Sequence, residues 1–328
     1  MALPITILLP TRNSMELLPA HVEAMTPLLP LAESVIHVDS ESKDGTVEYI
    51  RTHVRHQNFQ YFDRPPGLYQ SWNFGIQQAQ SKYIYVSTVG DTLTPDGLQR
   101  LHQVSEELKS DVLVSVPRFL HTNGRPANVE WPAHRMVREL QIREPKLIPP
   151  ALVFSYAIRM MPEGILNSSA SNLYRTEMLR ARPFPTEFGT VGDTAWGLRH
   201  ACEIRFGILP ESFSTFLLHE KSYSLPQPTL ENLRECFIAL AFEMAKGINP
   251  RPGDLSSEKL GLYFDTWKDL QAAQNSLYLY RKRFSIGWLF VPAAWRTRAL
   301  RNRIRKEAEL HFAELTEIAA AFFNSQRL

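Results

Sequence analysis

Three carboxylates and one imidazole stand where predicted strands or loops end: Asp39, Asp91, Asp193 and His219. Asp39 and His219 each follow an apolar run typical of a strand, and Asp91 follows another such run after a glycine. Asp193 opens a predicted helix behind a loop. The carboxyl ends of parallel strands gather at one edge of a sheet, where ligands of open α/β folds bind. We therefore expect these four groups to line one cleft.

This set of groups suits transfer from a nucleotide diphosphate donor. One carboxylate can hold the base or ribose, one can hold a divalent cation together with the histidine, and a third can take a proton from an incoming hydroxyl. Each residue also has a structural interpretation: Asp39 and Asp91 in local turns, Asp193 at a helix N-terminus, and His219 at the surface. The residue types alone leave both interpretations open.

The stretch of residues 81–98 shows how the chain positions one of these carboxylates. Residues 83–88 combine β-branched and aromatic side chains and predict a buried strand, which stops at Gly90 and Asp91. Thr94 is the predicted N-cap of the next helix, with proline at the first helical position. Asp91 is therefore expected just beyond the carboxyl end of a strand.

An alternation of strands and helices extends over most of the chain. Strands are predicted at residues 5–9, 35–38, 59–62, 83–88, 112–116, 206–209 and 214–218, and helices at 16–25, 47–52, 68–79, 95–108 and 193–201. This order predicts an α/β fold with a doubly wound, mostly parallel sheet. Residues 119–150, rich in proline, arginine and histidine, are expected to be irregular and to serve as a loop, a lid or an acceptor-binding excursion.

The pattern changes after residue 224. Helices are predicted at residues 230–247, 263–283 and 296–327, so we divide the chain into a catalytic domain at 1–224 and a helical C-terminal extension at 225–328. Residues 281–306 carry nine lysines and arginines, several aromatic residues and no acid. This composition suits contact with anionic lipid, although basic runs are often a solvated helix face.

The bulk composition excludes several classes of protein. The chain has 328 residues, 44% of them hydrophobic, and a net charge of only +2, which gives no general field for nucleic acid. Cys202 and Cys236 form neither a disulfide framework nor a metal spacing, as expected in a reducing compartment. The apolar N-terminal run is predicted to be a strand rather than a signal peptide, and no transmembrane helix is predicted. We expect a cytoplasmic protein.

Five blocks in sequence order carry a resemblance to a known family: LLPTRN, VDSESKDGT, GLYQSWNFGIQQAQSKYIYVSTVGDTLTPDGL, LYRTEML and VGDTAWGLR. Their order and spacing over residues 4–224 resemble the family 2 glycosyltransferases of the GT-A fold. The resemblance implies transfer of a sugar, with inversion, from a uridine or thymidine diphosphate sugar to an acceptor hydroxyl. It also implies a role in cell-surface polysaccharide or glycoconjugate synthesis.

The resemblance also implies a nucleotide-binding set: Pro10, Thr11, Arg12, Asn13, Asp39, Ser40, Gly67 and Asn73. Asp39 takes the place of the family's contact to the uracil or thymine base, and we expect its carboxylate to be partly open. Asn73 lies on a helix, where a purely structural hydrogen bond is the alternative.

The implied metal site departs from the family pattern. Of the acidic residues of the usual Asp-X-Asp block only Asp91 remains, because Thr88 and Gly90 replace the others. Together with His219, Asp91 implies a reduced site for Mn²⁺ or Mg²⁺ with weakened affinity.

Asp193 takes the place of the family's general base, and Gly192 replaces the glutamate before it. A dinucleotide-binding dehydrogenase would need a glycine-rich turn after the first strand, and residues 10–14 contain no glycine. A degenerate GT-A fold that binds a nucleotide or glycan without turnover stays open, because acids of the family are replaced. The expected partners are a nucleotide-sugar donor, a saccharide or lipid-linked acceptor and the inner face of a membrane, but no nucleic acid.

Overall fold

The computed structural model describes residues 2–160, 164–218 and 257–325. The chain divides into two compact units. The first unit comprises Met1–Ile148, Glu163–His200 and Ile204–Ser224, and the second comprises Pro149–Pro162, Ala201–Glu203 and Leu225–Leu328. His219 and the predicted helix at 230–247 lie outside the described residues.

An eight-stranded sheet forms the centre of the first unit, in the order β3-β2-β1-β4-β9-β6-β10-β8. Its strands are β1 (Leu3–Thr11), β2 (Ala32–Asp39), β3 (Phe59–Asp63), β4 (Tyr83–Val86), β6 (Val112–Ser115), β8 (Lys146–Leu147), β9 (Asn172–Arg175) and β10 (Phe206–Leu209). The β3–β2, β2–β1, β1–β4 and β6–β10 pairs are parallel. The α/β fold with a mostly parallel sheet is therefore confirmed.

Two strands of this sheet, β9 and β8, have no counterpart in the sequence prediction. β9 lies between β4 and β6 and runs antiparallel to both, with Tyr174 opposite Ile84 and Val112. Its four residues are too few for a clear period-2 pattern, and their partners lie far away in sequence. β8 also pairs antiparallel, with β10 at the other end of the sheet.

The segment at 119–150 is not irregular, so that expectation was wrong. β7 (Arg118–His121) forms a second, three-stranded sheet with β5 (Thr92–Leu93) and β11 (Ser214–Leu218), and α5 (Pro132–Glu139) and β8 follow in the chain. Phe119, Trp131 and Phe216 pack their rings together, with centroids 4.7–5.6 Å apart. These contacts join residues almost a hundred positions apart, so no local pattern reports them.

The remaining helices of the first unit follow the predicted alternation: α1 (Leu18–Met25), α2 (Thr46–His53), α3 (Leu68–Gln78), α4 (Pro95–Leu108), α7 (Thr176–Ala181) and α8 (Gly192–His200). Thr94 caps α4 as expected, because its hydroxyl accepts a hydrogen bond from the Gly97 N–H at 3.2 Å. The parallel register places Thr11 of β1 beside Asp39 of β2, and Asp39 beside Asp63 of β3. The carboxyl ends of three strands therefore meet at one edge.

The described part of the second unit is helical. It contains α6 (Pro150–Arg159), α9 (Ser257–Phe284) and α10 (Pro292–Ser325), and a 3-10 turn at Ser285–Phe290 joins the last two. α9 and α10 pack on each other and on α6, where Tyr156 meets Phe312 edge to face at 5.4 Å. Among the described residues, no helix is both long enough and apolar enough to cross a membrane.

Candidate active site

The carboxylate of Asp39 is held at the end of β2 by three hydrogen-bond donors. The Thr11 hydroxyl donates to Oδ1 at 2.6 Å, and Ser42 donates through its hydroxyl to Oδ1 and through its backbone N–H to Oδ2, both at 2.7 Å. Asp39 is only 1% exposed, so the expectation of a partly open carboxylate was wrong. The three donors satisfy a buried charge that would otherwise be costly. In this structure Asp39 therefore fixes the loops that follow β1 and β2.

His37 supports this arrangement from inside the sheet. Because the Thr11 hydroxyl donates to Asp39, it accepts from Nε2 of His37 at 2.8 Å, which places the imidazole proton on that nitrogen. Burial lowers the pKa of His37 to about 4, although the nearby Asp39 carboxylate opposes this shift. His37 is therefore neutral at physiological pH and orients Thr11 without adding charge.

The loop after β1 is joined to the loop after β2 by side chain–backbone hydrogen bonds. The Asn13 N–H donates to the Ser42 hydroxyl at 2.8 Å, and the Lys43 N–H donates to Asn13 Oδ1 at 2.9 Å. The Met15 N–H donates to Asp44 at 3.0 Å. Asn13 has a positive φ of 47°, which asparagine tolerates better than most residues. Arg12 and Asn13 are exposed at the tip of this paired loop, and Pro10 is half-buried at its base.

α3 connects the nucleotide edge to the rest of the site. Its Ser71 hydroxyl shares a buried hydrogen bond of 2.8 Å with Ser40, and its first turn closes with the Ser71 N–H donating to the Gly67 carbonyl at 3.0 Å. Asn73 is bound on both sides of its amide to the backbone of Phe184, at 2.7 and 2.9 Å. Asn73 therefore positions the loop that leads to Asp193.

Asp193 lies in the first turn of α8, and its carboxylate is half-buried. Its Oδ1 accepts the Thr194 backbone N–H at 2.7 Å, and the Tyr69 hydroxyl donates a second hydrogen bond. Burial raises the pKa of Asp193 above its ordinary value, and these hydrogen bonds only partly offset that shift. A carboxylate with a raised pKa is a stronger base, as proton transfer from a hydroxyl requires.

Tyr69 is the residue that sequence reasoning missed in this site. It is buried on α3, stacks on Phe184 at 5.3 Å and packs edge to face on Trp72 at 5.4 Å. Burial, followed by the Asp193 charge, raises the pKa of Tyr69 well above its ordinary value, so its hydroxyl keeps its proton and donates. The only available signal was its position two residues after Gly67 in the GLYQSWN block.

Gly192 stands where the family has a glutamate, and the close packing around this position explains the replacement. A Cβ atom at this position would lie 2.5 Å from the Pro185 carbonyl oxygen and 2.6 Å from Cδ2 of the Tyr69 ring. No side chain fits without displacing the ring that holds Asp193. The glycine at 192 and the tyrosine at 69 therefore belong to one arrangement.

The carboxylate of Asp91 is 6% exposed and lies beyond β4, next to β5. The Ser168 hydroxyl donates to Oδ2 at 2.7 Å, and the Leu217 backbone N–H is a second donor. Burial raises the pKa of Asp91 to about 7, against the effect of both hydrogen bonds. Ser168 was also missed from sequence, because it lies 77 residues from its partner.

The two replaced acidic positions near Asp91 have structural roles. The Thr88 hydroxyl is hydrogen-bonded to the Ser169 hydroxyl, and Gly90 has a φ of 102°, which favours glycine. Within the described part of the chain, no three acidic, histidine or cysteine side chains cluster as a metal site would need. Mg²⁺ is usually held by one or two carboxylates together with substrate phosphates and waters, and Asp91 would have to turn from Ser168 to serve as one of them.

The structure thus joins two of the predicted groups through one helix. α3 hydrogen-bonds to Ser40, beside Asp39, and to Asp193. Asp91 is tied instead to the loop before β9 and to β11. His219 directly follows β11 and lies outside the described residues.

A family profile matches the first part of the chain. Residues 6–167 match the profile described as Glycosyl transferase family 2. The matched range includes Thr11, Asp39 and Asp91 and ends before Asp193. No curated protein matches the chain.

Solved structures share the fold over almost the whole chain. TarS 1–349 of S. aureus in complex with UDP has a TM-score of 0.58 at 16% identity, covering 99% of this chain and 92% of that one. Its complex with UDP-GlcNAc gives the same four values. The mannosyltransferase PcManGT from Pyrobaculum calidifontis, in complex with GDP-Man and Mn²⁺, has a TM-score of 0.56 at 15% identity, covering 98% and 87%. At these identities the likeness shows the fold.

Proposed function

We propose that this chain, whose residues 6–167 match glycosyl transferase family 2 as the sequence blocks indicated, transfers a sugar from a nucleoside diphosphate sugar to an acceptor hydroxyl with inversion. The chain is a glycosyltransferase with a GT-A fold and a helical C-terminal region. The donor, the acceptor and the stereochemistry are parts of this proposal.

The arrangement around Asp193 carries the proposal. Its carboxylate is buried enough to have a raised pKa, yet two donors, the Tyr69 hydroxyl and the Thr194 N–H, hold it in one orientation. A purely structural acid at a helix N-terminus would need only the backbone donor and the dipole. The buried tyrosine, and the glycine that makes room for it, fit a positioned base better.

In the proposed step, Asp193 takes the proton of the acceptor hydroxyl. The hydroxyl oxygen forms a bond to the anomeric carbon as the bond from that carbon to the diphosphate oxygen breaks. The nucleoside diphosphate leaves with the electron pair of the broken bond. Attack opposite to the leaving group inverts the anomeric centre in a single displacement.

The donor would bind at the paired loops after β1 and β2. Arg12 and Asn13 are exposed there. The buried hydrogen bond between Thr11 and Asp39 holds the bases of the two loops in place. The nucleoside diphosphates in the TarS and mannosyltransferase structures support a donor of this class. We propose a uridine or thymidine diphosphate sugar, with Pro10, Ser40, Gly67 and Asn73 shaping the loops around it.

A divalent cation, Mn²⁺ or Mg²⁺, stays a separate part of the proposal. Mn²⁺ in the mannosyltransferase structure supports it. In this chain the candidate ligands would be Asp91 and His219, and Asp91 would have to turn from Ser168 toward the cation. The transfer step above is written without a cation. Raised activity, or a raised melting midpoint with UDP, on adding Mn²⁺ after EDTA treatment would establish one.

The acceptor is proposed to be a saccharide or a lipid-linked saccharide, in the synthesis of a cell-surface polysaccharide or glycoconjugate. A lipid-linked acceptor would require the enzyme to work beside a membrane. We accordingly propose a cytoplasmic enzyme, peripheral at the inner face of the membrane, and residues 1–224 as its catalytic domain.

The test of the base is Asp193→Asn, with Glu177→Gln as the matched control, since Glu177 is an exposed acid in the first turn of α7. Hydrolysis assays with a panel of UDP-, dTDP- and GDP-sugars identify the donor. The rate of nucleoside diphosphate release with that donor then gives kcat. We expect Asp193→Asn to lower kcat by about a hundredfold or more, the scale of a lost general base, with unchanged affinity for the nucleoside diphosphate. Equal kcat for wild type and Asp193→Asn would refute the assignment.

A further inference from the structure

Residues 281–306 form a strongly basic and partly apolar surface of the second unit, which we call the basic–aromatic surface. It holds nine of the 36 lysines and arginines of the chain and none of its 34 acids, so the rest of the chain is net acidic. It includes the last turn of α9, the 3-10 turn at Ser285–Phe290 and the first turns of α10. Opposite charges are thus separated along this chain.

Large apolar side chains stand out among these cations. Phe290 is 83% exposed, Trp295 56% and Phe284 41%. Phe290 is the last residue of the 3-10 turn, and Trp295 lies in the first turn of α10. Both residues are therefore close to the turn that joins the two helices. Isolated exposed apolar residues are common, but three exposed aromatic side chains close in sequence to one turn are unusual and point to an interaction site.

Several cations sit directly against the exposed rings. The Arg283 guanidinium lies 5.4 Å from the centroid of the Phe284 ring, and that of Arg298 lies 5.8 Å from the centroid of Trp295. Arg281 covers the half-buried Trp288 at 4.8 Å. The surface therefore presents charge and ring together, the combination that suits the boundary between lipid headgroups and acyl chains.

This distribution of charge is unfavourable for the helix itself. α10 has no acid in its first turn, where acids would be stabilised by the helix dipole, and Arg296 and Arg298 follow in its second turn. Arg298, Arg301 and Arg305 follow one another at spacings of three and four residues, which places like charges side by side on the helix. An ion pair with Glu309 at 3.4 Å relieves Arg305. An external anionic partner would relieve this repulsion for the whole row.

We propose that the basic–aromatic surface binds the surface of an anionic lipid bilayer. The arginines would contact headgroup phosphates, and Phe290 and Trp295 would enter the boundary with the acyl chains. The same surface of a second copy of this chain is a poorer partner, because it would bring the same positive charges. Nucleic acid would pair with the cations, but it would offer no apolar environment to Phe290, which is 83% exposed beside Val291. It is therefore a poorer partner than a bilayer.

The binding is independent of sugar transfer, although it would place the enzyme beside a lipid-linked acceptor. It is tested by sedimentation of the full-length protein with vesicles of phosphatidylcholine alone or mixed with phosphatidylglycerol. We expect binding only to the anionic vesicles at low salt, with loss near 1 M salt, where the screening length falls to about 3 Å. Protein that stays in the supernatant at low salt would overturn the proposal.

Two variants of equal charge separate this surface from the net charge of the protein. The first, Arg296→Gln/Arg298→Gln/Arg303→Gln, removes three exposed cations of the surface. The control, Arg55→Gln/Arg125→Gln/Arg143→Gln, removes three exposed cations of the first unit. We expect the partition coefficient to fall by about a hundredfold for the first variant and to stay unchanged for the control, since each basic residue near an anionic surface contributes about a fivefold factor. Equal losses in both variants would refute a dedicated surface.

A second measurement detects insertion of Trp295 into the bilayer without changing the charge of the protein. Acyl chains brominated near the headgroup quench tryptophan that enters the bilayer, and Trp295→Phe keeps an aromatic ring at the same position. We expect wild type to be quenched on binding brominated anionic vesicles, and Trp295→Phe to bind equally but to be quenched less. Equal quenching of both proteins would refute insertion of Trp295. Pelleting without vesicles would assign the surface to self-association, and displacement from vesicles by an equal charge of oligonucleotide would assign it to nucleic acid.

Discussion

Replacing Tyr69 by phenylalanine isolates the hydroxyl that holds Asp193. The phenylalanine ring keeps the stack on Phe184 at 5.3 Å and the edge contact with Trp72 at 5.4 Å, because neither involves the hydroxyl. The substitution removes the hydrogen bond of the hydroxyl to the Asp193 carboxylate and its contact with the Asp193 backbone N–H. The Tyr69→Phe variant therefore tests the electrostatics of the base with the packing preserved.

The size of the effect follows from the energy of that bond. A hydrogen bond to a charged group contributes about 1.5–3 kcal/mol, and one pKa unit corresponds to about 1.4 kcal/mol. Removing a donor that favours the ionised form therefore raises the pKa of Asp193 further. Burial has already raised this pKa above that of the unfolded chain, so the folded state holds a proton that the unfolded state releases in the window between them. Stability falls as pH rises through that window, and Tyr69→Phe extends the window upward.

The assay is the pH dependence of kcat/KM from pH 5 to 9 with the donor identified in the hydrolysis panel. Asp193 acts as a base only when ionised, so the acidic limb of the profile should move to higher pH. At the acidic end the variant should lose about tenfold to a hundredfold in rate, and it should recover much of this loss at high pH. Thermal melts at the same pH values give the matching fall in stability.

Tyr83→Phe is the matched control. Tyr83 is also a buried tyrosine of the first unit, but burial and Glu106, not Asp193, govern its pKa. Its loss of a hydroxyl should leave the acidic limb in place. An unchanged profile for Tyr69→Phe, or the same displacement in both variants, would refute the role of the Tyr69 hydroxyl.

Three further substitutions test neighbouring parts of the site. Asp39→Asn should lower the free energy of unfolding by about 1–3 kcal/mol and weaken UDP binding, because an amide cannot accept from all three donors. An unchanged melting midpoint and an unchanged calorimetric affinity for UDP would contradict this. Asp91→Asn in EDTA should flatten the fall in stability between about pH 4 and 7, since burial raises the pKa of Asp91 to about 7 and wild type loses up to about 4 kcal/mol across that window; parallel slopes would contradict it. Gly192→Ala should cost about 1–3 kcal/mol and lower kcat, whereas Gly287→Ala, with nothing within 4 Å, should do neither.

Local patterns in the sequence determined the strands and helices that carry the site. Apolar runs marked β1 and β2, and a proline after a capping threonine marked the start of α4 at Pro95. Because parallel strands share one edge, the positions of Thr11 and Asp39 beyond two apolar runs were enough to place them together. The order of the blocks added the resemblance to family 2 glycosyltransferases, and residues 6–167 match the profile of that family.

The exposure of individual carboxylates was decided only by the tertiary structure. Asp39 and Asp91 were expected to face a ligand, and both are buried among hydroxyl and amide donors. Whether a strand-end carboxylate faces solvent or a neighbouring loop depends on where the partner loops fall, and a partner such as Ser168 lies 77 residues away.

The arrangement around Asp193 was likewise decided by long-range packing. Asn73 holds Phe184 across 111 residues, the ring of Tyr69 stacks on that phenylalanine, and the close approach of Gly192 to the same ring leaves no room for a side chain. Sequence determined that an acid begins α8, since helix starts depend on neighbouring residues. It could not determine which side chain reaches that acid, because close packing between distant segments leaves no periodic signal in either one.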